Sequence, residues 1–228
     1  MANIVQSASV VESTGPNTVL VMPSNVTAGN LLIIMTGHPG GNECTGGGTL
    51  ATYTDTRGLT YTAITTSENP SGGQSNSCIL SAPITSSGPQ TITRNVSLGN
   101  YPVAMWGVEI SGVLLPTVDA TASGTADSGT SVSSGNVVSA NPNLILLGAA
   151  SDNVANAFDS VSPSGGTSAF VSPNGAFLVK LVGAGTYNPT FGKSAGGVRF
   201  SCTAALISFT IPKKAKGYLF GPGWTYGG

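Results

Sequence analysis

The chain has 228 residues, only 7% of them charged, and its 8 Lys and Arg against 9 Asp and Glu leave a formal net charge of -1. So few basic residues cannot build the electrostatic footprint of a nucleic-acid binder, and the shortage of Glu and Lys excludes coiled coils and long exposed helices. With 32 Gly, 28 Ser and 26 Thr beside a hydrophobic fraction of 40%, the composition fits one large all-β domain, its surface kept soluble by hydroxyls and amides or covered by partners.

Met1-Ala2-Asn3-Ile4 opens straight into a strand-like run, without the basic and apolar regions of a secretory signal. The longest apolar stretches, Leu31–Met35 and Leu144–Ala150, fall far short of the roughly 20 residues that cross a bilayer. The expectation is synthesis in the cytoplasm and no membrane partner.

No segment holds a helical period over three turns. Short apolar or alternating runs predict strands at Ile4–Val11, Thr18–Met22, Asn30–Gly37, Thr60–Thr65, Cys78–Ser81, Thr91–Val96, Val103–Ser111, Val132–Ser139, Leu144–Ala150, Ala176–Gly183 and Val198–Ile211. Arg57-Gly58 reads as the turn of a hairpin joining Tyr53–Thr56 to Leu59–Thr65. Val103–Ser111 is apolar on both faces near its start, which predicts a central strand covered on both sides. Ser123–Gly135 reads as a flexible loop or a weak edge strand. Asn174-Gly175 suggests a tight turn with positive φ at both positions, pairing Ala169–Val171 with Phe177–Val179. In Val198–Ile211 the apolar phase switches near Ala204-Ala205, as a bulge would cause.

No repeat of fixed period and no linker appears. The reading is one all-β domain over 1–212, a two-sheet β-sandwich of jelly-roll or Greek-key type. An irregular C-terminal arm over 213–228 follows. Its aromatic run offers Tyr218, Leu219, Phe220, Trp224 and Tyr226 as anchors. The arm either folds back on its own sandwich or docks on a neighbouring subunit.

Catalytic patterns are thin. The one histidine, His38, follows an apolar strand and reads as a partly exposed loop residue; no Gly-x-Ser-x-Gly elbow accompanies it. Gly46-Gly47-Gly48 lacks the Lys-Ser or Lys-Thr of a phosphate loop. Glu109 lies inside a strand with an apolar opposite face; one reading makes it a buried carboxylate paired with Arg94 or Arg199, and the favoured one a structural residue that faces solvent or pairs with an arginine. Asp152-Asn153 and Asp159 are the acids nearest to a calcium pattern, but no Asp-x-Asp-x-Asp-Gly loop is present, so no metal and no cofactor are expected. Of the three cysteines, Cys202 reads as a small core residue, while Cys44 and Cys78 could pair under oxidation.

The succession Ala28-Gly29-Asn30-Leu31-Leu32-Ile33-Ile34, Asp55-Thr56-Arg57-Gly58-Leu59-Thr60-Tyr61-Thr62, Trp106-Gly107-Val108-Glu109-Ile110-Ser111-Gly112 and Val118-Asp119-Ala120-Thr121-Ala122 resembles β-sandwich modules of bacterial surface proteins and tailed-bacteriophage virion proteins. The resemblance covers most of residues 25–150 and brings no shared catalytic residues. Within that group a charge-poor chain with an aromatic tail is most similar to capsid decoration (cement) proteins with jelly-roll folds. It implies a non-enzymatic virion protein, a homo-oligomer with a trimer favoured, bound to the major capsid protein or another virion protein. The alternative is a carbohydrate-binding or adhesion module in which Tyr53, Tyr61, Trp224 and Tyr226 stack on a glycan.

Overall fold

The computed structural model describes residues 2–12, 17–39, 51–69, 75–95, 102–152, 157–163, 168–197 and 199–210. The predicted arm, with Tyr218, Leu219, Phe220, Trp224 and Tyr226, lies outside them, as does Cys44. The described chain is all-β, a sandwich of packed antiparallel sheets.

Eight strands make a first half: β1 (Asn3–Glu12), β2 (Asn17–Val21), β3 (Leu31–Pro39), β4 (Thr52–Asp55), β5 (Thr62–Asn69), β6 (Ser75–Pro83), β7 (Thr91–Asn95) and β8 (Val103–Ser111). They form a large sheet in the order β1-β8-β3-β6-β5 and a small sheet in the order β2-β7-β4. This interleaving of first and last strands is jelly-roll order. The rest of the chain repeats it. Strands β9 (Leu114–Ala126), β12 (Leu144–Asp152), β14 (Ser168–Val171), β15 (Gly175–Val182) and β18 (Phe200–Thr210) form a large sheet ordered β14-β15-β12-β18-β9. Strands β10 (Gly129–Ser133), β13 (Ser160–Ser162) and β17 (Thr190–Gly197) form a small one ordered β10-β17-β13, beside the pair β11 (Val137–Ser139) and β16 (Gly185–Tyr187). Taken in chain order, β1, β8, β3, β6 and β5 correspond to β9, β18, β12, β15 and β14, and β2, β7 and β4 to β10, β17 and β13. The repeat is one of topology; residue identity does not carry it.

The two large sheets face each other and the small sheets cover their outer faces. That layering explains the continuous apolar runs, because a strand covered on both sides needs apolar residues at every position. In β3, Leu31, Ile33 and Met35 point to the central seam and Leu32 and Ile34 to the first small sheet. In β12, Ile145, Leu147 and Ala149 point to the seam, whereas Leu144, Leu146 and Ala150 point to the second small sheet. Trp106, Val108, Ile110, Phe177 and Val179 complete the seam. Gly148 leaves room for the Phe191 ring, whose nearest atom would stand 3.0 Å from an added Cβ.

Toward one end the seam changes from hydrocarbon to hydroxyl and amide. Along β5, Thr65 bonds Thr203 at 2.7 Å, Ser67 donates to the Gly124 carbonyl, and Asn69 donates to the carbonyls of Ala126 and Phe200 and to the Asp127 carboxylate. All but the Asp127 contact are neutral hydrogen bonds, which satisfy buried polar atoms without the cost of stripping water from charges.

Several expectations are corrected. Tyr53–Thr56 and Leu59–Thr65 are not a hairpin: β4 pairs with β7 and β5 with β6, so the turn at Gly58 (φ 67°) carries the chain between sheets. Asp55 holds that turn by accepting the Arg57 and Leu59 N–H groups. Val132–Ser139 divides into β10 and β11 around Gly135, whereas most of Ser123–Gly135 follows the second of its two readings, as strand at the edges of two sheets. Pairing of Ala169–Val171 with the start of β15 holds, but neither Asn174 nor Gly175 has positive φ. Strand β18 runs in unbroken register along β12; against β9 its register shifts between Leu206 and Ile207, close to the bulge expected near Ala204-Ala205, and again between Ser208 and Thr210. The apparent phase switch arises because β18 is buried on both faces, with Phe200, Cys202, Ala204 and Leu206 on one and Ile207 on the other.

Candidate functional site

Each half buries one cation on the middle strand of its small sheet. Arg94 on β7 is 1% exposed, and Lys193 occupies the same position on β17, two residues after the core residues Ile92 and Phe191 respectively. Opposite them, at the ends of β3 and β12, stand His38 and Asp152. His38 is therefore a buried strand residue, 2% exposed, and not a loop histidine. Burial, reinforced by the Arg94 charge, lowers its pKa to about 3, so it is neutral at ordinary pH. Asp152 forms an ion pair with Lys193 and is thereby committed to an ammonium. Burial lowers the Lys193 pKa, and Asp152 partly offsets it. Among the described residues no three His, Cys, Asp or Glu side chains gather as a metal site would require.

Glu109 is buried, as one reading of its strand required, but its partners are neutral. It accepts from the Gln6 and Asn30 amides, each at 2.5 Å, and from the Thr27 N–H at 2.9 Å. These bonds tie β8 to the segment entering β3. Neither Arg94 nor Arg199 is among these partners. Cys202 is a free, buried thiol whose pKa burial raises. Cys78 is disulfide-bonded.

The two described aromatics proposed as sugar platforms are half-buried and pack against the first core. Tyr53 packs against the first core, its hydroxyl 3.3 Å from Thr36 and its pKa raised by burial to about 12. Tyr61 donates to Asp55 at 2.5 Å and accepts from Gln90. Trp224 and Tyr226 lie outside the described residues. Among the described residues, the surface grooves around Asn143 and Phe209 are lined by no acid, base or histidine.

The outer face of the β2-β7-β4 sheet is a regular array. Registers align Asn17, Asn95 and Thr52 in one row and Val19, Thr93 and Thr54 in the next. Val21 and Thr91 begin a third, which Thr56 completes through its N–H to the Thr91 carbonyl. No member carries a charge, and Val19 and Val21 are 43% and 61% exposed. No protein-family model, curated protein or solved structure matches the chain. Function must therefore be argued from its own surfaces. The alternation Thr52-x-Thr54-x-Thr56 and Thr91-x-Thr93-x-Asn95 was visible in the sequence; that these strands flank one another was not.

Proposed function

We propose that this chain is a non-enzymatic structural protein of a virion, a capsid decoration protein that binds the shell surface as an oligomer, with a trimer favoured. The observation that carries the reading is the uncharged array on the β2-β7-β4 face. A sheet face of hydroxyls, amides and valines can lie against another protein without stripping water from charges, and its two exposed valines supply apolar contact. The jelly-roll order in both halves and the charge-poor composition suit the same reading. Many weak contacts, multiplied by an oligomer, give durable attachment.

The test has two parts. Light scattering on the purified chain should give three times the 22.6 kDa monomer mass. The double variant Val19→Lys/Thr54→Lys should fold normally yet fail to co-sediment with capsid shells. Attachment undiminished by those two charges would sink the proposed face.

A further inference from the structure

Lys193 and Asp152 meet in the buried core of the second half. Nζ and Oδ2 are in direct contact, and neither side chain has exposed surface. The rings of Phe158 and Phe200 close over the ammonium, their centroids 4.5 and 5.6 Å from Nζ. Both rings are themselves buried, among Ala150, Ala176 and Cys202. A charge pair in such surroundings loses much of the hydration of both ions, which mutual attraction repays only in part.

We propose that Lys193 Nζ and Asp152 Cγ condense into an intramolecular amide that cross-links β17 to β12 through the core. Transfer of one proton from Nζ to an Asp152 oxygen gives the neutral amine and carboxylic acid. The amine lone pair attacks Cγ, the C–N bond forms and the C–OH bond breaks. The hydroxyl departs with a second Nζ proton as one water, so no oxidant, reductant or cofactor is needed. Three features favour the step. Contact between the groups supplies the high effective concentration of an intramolecular reaction. Burial holds the lysine pKa down and so favours the free amine. The product removes both buried charges.

The first half cannot do the same. The Arg94 guanidinium stays protonated and is a poor nucleophile, and His38 offers no acyl carbon. A cross-link is therefore confined to the second half.

Intact-mass spectrometry on the full chain, after complete reduction of its cysteines, decides the matter. The wild type should weigh one water, about 18 Da, less than its sequence requires. Proteolysis should yield one branched peptide joining the segments around Asp152 and Lys193. Lys193→Arg keeps a cation that cannot be acylated, and should show its full sequence mass. A wild-type chain at full sequence mass would overturn the proposal and leave a plain ion pair. So would a water deficit that persists in Lys193→Arg, or one that maps to another peptide.

Discussion

The two halves of this chain solve one topological problem with different residues. Both wrap eight-strand order around a small core, and both place a cation on the middle strand of the outer sheet. The first half sets Arg94 beside a neutral histidine, whereas the second sets Lys193 against a carboxylate. At the corresponding core position the first half uses Ile92, and the second uses Phe191 over Gly148. Strand order thus constrains which positions are buried, and the volume and charge filling them are negotiated locally.

The sharpest way to break this correspondence is to empty the matched positions. Phe191→Ala should cost about 3–5 kcal/mol and Ile92→Ala about 2–5 kcal/mol in urea unfolding, both being fully buried. The larger loss belongs to Phe191, because Gly148 beneath the ring has no side chain that could relax into the hole. A near-wild-type midpoint for either variant would show that the two positions are not equivalent.

Acid should separate the halves next. His38 takes its proton near pH 3 when folded and near 6.5 when unfolded. Between those values the unfolded chain binds the extra proton. Stability complete above pH 6.5 is therefore lost as pH falls toward 3, by at most about 1.4 kcal/mol per pH unit. The second half holds no histidine, His38 being the only one in the chain. His38→Gln should flatten the curve of unfolding midpoint against pH between 6.5 and 4; an unchanged slope would place the acid sensitivity elsewhere.

The smallest effect is expected at the seam. An added Cβ at Gly37 would stand 2.8 Å from the Ala150 carbonyl oxygen and 3.1 Å from that of Asn174, both in the other half. Backbone atoms cannot swing aside, so Gly37→Ala should destabilise by about 1–3 kcal/mol through overpacking. Hydrogen exchange should then rise along β3 and β12 before it rises in the outer sheets. Uniform exchange across all layers would mean that the strain of the added methyl is not confined to the seam.

The candidate sites were legible to different depths. Cys202 was readable as core because its strand carries an apolar run, and its thiol is buried. Glu109 was marked by an acid inside such a strand, although its neutral partners were not, since Gln6 and Asn30 come from distant segments. Lys193 gave no signal: it sits in Thr190–Gly197, a strand whose glycines and serine mask its alternation. Asp152 looked like a loop acid because only the fold extends β12 to include it.

Alternation and apolar runs, which are local, determined by themselves that this protein is all-β, where its strongest strands lie, and that Val103–Ser111 is covered on both faces. Side chains of a strand alternate whatever the strand pairs with, so that information survives in the linear sequence. The tertiary structure alone decided which strands share a sheet, that the two halves repeat one order, and that three polar strands align into an uncharged face. It alone brought Lys193 to Asp152. Those outcomes depend on pairings between segments far apart in the chain, and the hydrogen bonds that make them belong to the backbone, which is the same at every residue except proline.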